Sequence, residues 1–260
     1  MLLDVHMHTS RYSACGKDTA EAMMAAAMER GLDAVAITEH NAFWPDGEIA
    51  ELRAAFPRVR IFRGMEINTA EEEDLLVYGA SDPGALTGRR SIAAVIREVR
   101  RQGGATIMAH PLRYRDTIAE SLLKAPPDAC EAWSMNICAF QRSGIRAFQE
   151  QTGCGLIASS DAHRRDNLGI YASRFADDIR DEQELAAAIR RRAYTPFQDE
   201  CRLAEREKAL PQLVENVRQA LAQGMDAQTV RDTFQCAYSF VDHVKAGRYP
   251  SLIRERPPEA

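Results

Sequence analysis

Short apolar runs alternate with helical patterns from the first residue onward. The strand-like runs fall at 2–5, 34–37, 59–62, 75–78, 105–108, 129–133 and 156–158. Several are hydrophobic without interruption, as expected for parallel strands covered on both faces. Helical signals lie between them. Asp18 with Glu21 reads as a capping pair opening an Ala/Met-rich helix that ends near Gly31. Ser91 caps SIAAVIREVRRQ, which stops at Gly103-Gly104. Asp181 with Glu184 reads as another capping pair, ahead of LAAAIRRR. Seven strands alternating with helices predict either an α/β barrel or an open doubly wound sheet. Beyond residue 200 only helical patterns remain, around 205–222 and 227–245, before the tail RERPPEA. The expected division is a barrel over 1–200 and a C-terminal helical extension over 201–260, packed on the barrel or used for self-association.

Chemistry is concentrated where strands end. Strand 1 runs into Asp4-Val5-His6-Met7-His8 and strand 2 into Thr38-Glu39-His40-Asn41. Strand 3 runs into Gly64-Met65-Glu66, strand 5 into Ala109-His110-Pro111, and strand 7 into Ser160-Asp161-Ala162-His163. Five of the six histidines sit at such ends, His243 being the exception. In parallel β/α folds those ends form the active-site face. Residues two apart on a strand point the same way, so His6 and His8 can share one ion, as can Asp161 and His163. A single histidine on a strand is ordinarily a satisfied core residue. Five at matched positions, with Glu66 and Asp161, would be costly to bury without a compensating cation.

Composition narrows the partners. A net charge of −5 without long single-sign runs disfavours long nucleic acid, although a short oligonucleotide needs only a local basic pocket. The six cysteines form no C-x-x-C pair, which argues against a structural zinc ribbon. No apolar run is long enough to span a membrane, and the expectation is a reduced, cytoplasmic protein. No phosphate-cradling glycine loop and no Ser-His-Asp arrangement competes with the strand-end cluster.

In order along the chain, D-x-H-x-H-T, T-E-H-N, G-M-E, A-H-P and S-D-A-H-R resemble the PHP (polymerase and histidinol phosphatase) family over about residues 1–200. The resemblance implies a distorted, seven-stranded (β/α)7 TIM-like barrel with two or three divalent ions of zinc, manganese or iron. Most characterised members hydrolyse phosphate esters. Carried over position by position, His6, His8, Glu66 and Asp161 hold a first ion. Glu66 bridges to a second with His110, and His40 and His163 hold a third. Glu66, Asp161 and His110 are the expected catalytic residues.

This chain departs from the family pattern at three positions. Asp74 stands near strand 4 where histidine is frequent; as a ligand it would favour harder ions such as manganese. Cys15 lies in the segment after the first motif, where it either replaces an aspartate or histidine at the third ion or leaves that position incomplete. Glu39 replaces an aspartate and is expected to be a hydrogen-bond partner rather than a ligand.

Two cations sharing Glu66 and a water would lower that water's pKa and give a hydroxide nucleophile. Arg113 and Arg164 are the expected phosphate-gripping residues, with Arg142 and Arg165 as weaker candidates that read equally as solvated surface. Tyr12 and Trp44 are candidates to stack on a ring, Trp44 equally for loop packing, and Trp133 reads as core. The expected substrate is a small phosphorylated metabolite, a nucleotide or a short oligonucleotide end. Hydrolysis of an amide or lactone, or a non-catalytic metal-binding role, are the alternatives. The oligomeric state is left open.

Overall fold

A computed structural model describes residues 1–113, 115, 117–234, 236 and 238–247; the RERPPEA tail lies outside the described residues. All seven predicted strands form. They are β1 (Leu2–Met7), β2 (Ala34–Ile37), β3 (Arg60–Asn68), β4 (Asp74–Tyr78), β5 (Ala105–Met108), β6 (Ala129–Trp133) and β7 (Gly155–Ala158). Two more, β8 (Tyr171–Phe175) and β9 (Tyr194–Gln198), were not foreseen. Strand β9 carries Pro196, which demotes a run in any pattern reading; it is accommodated because β9 pairs only with β8 in the sheet ladder.

The order β7-β6-β5-β4-β3-β2-β1-β8-β9 keeps the seven strands consecutive, as a barrel requires. It is not all-parallel. Strand β4 runs antiparallel to both β3 and β5, which corrects the parallel-sheet expectation. Closure differs at the two ends. At the site end β1 bonds the segment beyond β7 directly, His8 N donating to Ala162 O at 2.8 Å. At the other end β8 wedges in, antiparallel to Leu2 and Leu3. Its Ser173 hydroxyl donates to Ala158 O at 2.8 Å and accepts from Ala158 N at 3.1 Å, a side-chain seam in place of a backbone ladder.

Helices pack around this sheet: α1 (Ala20–Glu29), α2 (Asp46–Ala55), α3 (Ile92–Arg101), the short α4 (Glu120–Lys124), α5 (Arg142–Thr152) and α6 (Glu182–Arg191). Ser91 caps α3 and Asp181 caps α6 as expected. At α1 the cap is one residue later than predicted. The Thr19 hydroxyl accepts from Ala22 N, whereas the Asp18 carboxylate takes Arg165 N and ties α1 to the loop after β7. Helix α6 plugs the end opposite the site: Leu185, Ala188 and Ile189 join Leu3, Val5, Phe62, Leu76, Tyr78 and Ile107 in the interior core.

Packing there is tight enough to exclude a methyl group. A Cβ on Gly64 in β3 would lie 2.9 Å from both Thr38 Cγ2 and Tyr78 Cε1. Gly64→Ala is therefore expected to cost about 1–3 kcal/mol, read as a lower urea midpoint at unchanged slope; an unshifted midpoint would mean that the barrel interior has slack.

The chain ends in α7 (Glu200–Ala222), α8 (Ala227–Phe234) and α9 (Tyr238–Lys245), so the helix expected over 227–245 is two. They enclose their own apolar cluster, including Val217, Val230 and Val241. The start of α7 grips the loop beyond β7, Arg202 donating to Leu168 O at 2.9 Å and Arg206 to Asn167 Oδ1 at 2.7 Å. Among the described residues no helix is long and apolar enough to cross a membrane.

Candidate metal centre

A local irregularity in β1 aims the first motif inward. The register between β1 and β2 shifts between Asp4 and Met7. Before it, Leu3 and Val5 face the interior core; after it, Met7 packs outward among Met23, Met24 and Ile37. The inward parity thus switches to His6 and His8, the ordinary effect of a bulge. Both imidazoles are fully buried. Glu66 enters from β3 and His110 from the turn after β5. Because β4 is antiparallel, its first residue, Asp74, lies at the site mouth. Asp161 and His163 follow β7. Three of the residues around this mouth, Asn41, His110 and Asp161, have φ of +50°, +27° and +50°, unusual for side-chain-bearing residues and a recurrent feature of functional sites.

Among the described residues, donor atoms converge in three groups, each within 4.8 Å: His8, Cys15, His40 and His163; His6, His8 and Asp161; Glu66, Asp74 and His110. Every residue singled out as a ligand from sequence is in one of them. Glu66 is the hub. Its Oε1 faces His110 Nε2 at 3.0 Å, and its Oε2 faces His40 Nδ1 at 3.0 Å, His8 Nε2 at 3.1 Å and His6 Nε2 at 3.5 Å. Asp161 Oδ1 lies 3.2 Å from His6 Nε2 and 3.3 Å from His8 Nε2. Although imidazole nitrogens surround them, Glu66 Oε2 and Asp161 Oδ1 are buried oxygens that complete no well-formed hydrogen bond. Carboxylate and imidazole lone pairs pointed at a common space in this way fit divalent cations, and a deprotonated N/O/S donor set suits zinc, manganese or iron.

The electrostatics agree. Burial pushes the Glu66 and Asp161 carboxyls up, but His6 and the other imidazoles outweigh it and hold both well below the usual range. Burial pulls His6 down, while Asp161, Glu131 and Glu66 carry it well above its ordinary value. Cys15, raised by burial and lowered more by His163 and His40, comes to about 5. A metal ion would take the imidazole nitrogens that face these carboxylates, so a centre that binds one would need them unprotonated.

Glu131 was missed from sequence. It lies in β6, fully buried, its Oε1 receiving His6 Nδ1 at 2.8 Å and its Oε2 accepting from His110 N at 2.6 Å; the Ser159 hydroxyl also donates to it. It fixes the His6 tautomer so that Nε2 faces the centre. A carboxylate inside an otherwise apolar strand run was the available signal. Asn136, in the loop after β6, donates to Asp161 Oδ2 and was likewise not foreseen. Asp4 of the first motif takes Ser160 N and Gly169 N at 2.9 Å each, clamping the loop that carries Asp161.

The remaining candidates divide clearly. Arg113 reaches the cluster, Nη1 standing 3.7 Å from Asp161 Oδ2. Arg164 stands beside Asp166 at 4.0 Å, and Arg165 is exposed. Arg142 is buried near Tyr171, not solvated surface. Glu39 is a hydrogen-bond partner of Thr9 and of the Trp44 indole, 3.2 Å away, and its carboxylate forms no hydrogen bond or ion pair with a histidine among the described residues. Trp44 is buried loop packing, Tyr12 is an exposed rim residue bonded to Glu48, and Trp133 is core.

The PHP domain family profile matches residues 4–181. The chain belongs to the PHP domain family. An uncharacterized protein of Methanocaldococcus jannaschii is 32% identical to it over 157 residues, 56% of this chain and 86% of that protein. Among solved structures, a two-domain protein from Bacteroides vulgatus containing a predicted PHP-like metal-dependent phosphoesterase superposes with a TM-score of 0.60 at 17% identity. That match covers 77% of this chain and 65% of the other. The lesion-specific endonuclease EndoQ from Pyrococcus furiosus superposes with a TM-score of 0.55 at 13% identity, over 73% of this chain and 55% of that one. At such identities the likeness is one of fold. This PHP domain has the barrel, and its own donor atoms make the argument about chemistry.

Proposed function

We propose that this PHP-domain protein is a metal-dependent phosphoesterase acting on a small phosphorylated molecule, a nucleotide or a short oligonucleotide end. The observation that carries the reading is the convergence of three donor groups on Glu66 and Asp161, with an arginine beside them. His6, His8, Asp161 and Glu66 would hold one ion, Glu66 with Asp74 and His110 a second, and His40 and His163 a third. When bound, such ions supply Lewis-acid charge and acidify water near neutral pH. Glu131 keeps the His6 ring oriented, and Asn136 holds Asp161. Arg113, largely shielded from solvent, is placed to grip a phosphoryl oxygen through its planar fork. The chain's net negative charge supports a compact substrate over long nucleic acid.

Elemental analysis of protein purified without chelator, followed by a phosphate-release screen over monoesters and diesters, tests the proposal. Two or three equivalents of zinc, manganese or iron, lost in a H6A/H8A double variant, together with phosphate release, are expected. Less than one equivalent after metal addition, or a fully loaded protein inert on every ester, would sink it. Arg113→Ala is expected to lower kcat/KM on phosphate esters by roughly 10²–10³-fold. If hydrolysis of an amide or lactone survived that substitution while phosphate esters remained untouched, the carbonyl chemistry would take precedence.

A further inference from the structure

The two outer donor groups differ in softness. Glu66, Asp74 and His110 offer two carboxylates and one imidazole. On the other side His40 and His163 are joined by a thiol, Cys15, with His8 between the groups. We propose that Cys15, His40 and His163 form a thiophilic position selective for zinc, separate from a carboxylate-rich position that takes a harder ion such as manganese, so that the centre holds two kinds of metal. This rests on the metal-centre reading above and adds to it a division of labour that follows from ligand type.

Cys15 is built into the centre by its loop. Ser13 Oγ accepts from His40 N at 3.1 Å and lies 3.3 Å from His8 Nδ1. Gly16 N bonds back to Ser13 O at 3.0 Å, forming the turn that carries Cys15, and Lys17 N donates to His163 O at 2.8 Å. The loop is therefore pinned to all three neighbouring histidine segments. At its tightest point a Cβ on Gly16 would come within 2.2 Å of the Thr9 carbonyl oxygen, so glycine alone lets the turn sit this close. The rings of His40 and His163 flank His8, each with its centroid 4.4 Å from that of His8, and the thiol shares the space they border. With His8 assigned to the first ion, Cys15, His40 and His163 would give zinc three protein donors, the number found in zinc sites that admit a substrate or water.

Cobalt substitution reads this position directly, without reference to turnover. Metal-stripped protein titrated with Co²⁺ is expected to develop a thiolate-to-cobalt charge-transfer band in the near ultraviolet. The band should be lost in Cys15→Ser and displaced by Zn²⁺ but not by Mn²⁺. Offered equal zinc and manganese, Cys15→Asp should retain a lower zinc-to-manganese ratio than the wild-type protein. Zinc should also slow alkylation of Cys15 by iodoacetamide by roughly tenfold or more, a protection that Gly16→Ala should weaken by displacing the turn. Absence of the band, or a zinc-to-manganese ratio unchanged in Cys15→Asp, would overturn the proposal. Phosphate release reports separately on the proposed activity: a cobalt–thiolate band in a protein inert on all esters would leave the zinc position standing and remove the phosphoesterase reading.

Discussion

Replacing Glu66 with alanine is expected to empty the centre of metal and lower phosphoester hydrolysis by at least about 10³-fold. Four imidazoles stand within 3.5 Å of this carboxylate: one oxygen faces His110, and the other faces His6, His8 and His40. Without it, His110 and Asp74 lose the group that joins them to the rest. His6 and His8, raised by their carboxylate neighbours, would be left buried with reduced counter-charge, a situation that typically costs about 3–5 kcal/mol. Alanine thus threatens stability as well as chemistry. Glu66→Gln keeps the volume and one carbonyl oxygen, so it separates the two effects. The glutamine variant should fold with a circular-dichroism spectrum like the parent's and still lose bound metal by elemental analysis. A folded variant that kept its ions and hydrolysed esters within about tenfold of the parent rate would show that Glu66 does not bridge.

Glu131→Ala should weaken metal binding by about 10–100-fold, although this residue is not expected to touch an ion. Its two oxygens hold His6 Nδ1 and the His110 backbone N–H, and Ser159 donates to the first of them. Deleting the carboxylate frees the His6 ring to change tautomer and leaves a buried N–H at the strained His110 turn without its acceptor, a loss of about 1–3 kcal/mol. Glutamine at this position has one acceptor oxygen, so when that oxygen accepts from His110 N its amide donates to His6 Nδ1 and favours the tautomer protonated at Nε2. The variants should therefore rank wild type, Glu131→Gln, Glu131→Ala in zinc affinity, measured by competition with a chromophoric chelator. A positioning role also predicts that excess metal restores much of the hydrolytic rate of Glu131→Ala. Unchanged affinity in both variants would show that the His6 ring is fixed by its other neighbours.

The candidate ligands were legible because imidazoles are rare in strand-end positions, and burying several together without a cation is expensive. The period of apolar residues located the seven barrel strands, since a strand covered on both faces has no other way to be written. Two strands escaped this reading. Strand β9 carries a proline, and the short β8 is held to β7 by Ser173 rather than by a ladder, a contact with no local signature.

Sequence by itself thus determined which residues have metal-ligand chemistry and the order in which the barrel strands present them. Only the tertiary structure decided how they meet. The irregularity in β1 exchanges the inward parity so that His6 and His8 face the centre, and the reversed β4 brings Asp74 to the mouth by its first residue rather than its last. Folding also brings Glu131 to His6 across 125 positions of chain and seats Cys15 between two histidines from distant loops. Side-chain chemistry is a property of one residue and is written locally. Register, strand direction and long-range hydrogen bonding depend on which segments pack together, so no window of the chain contains them.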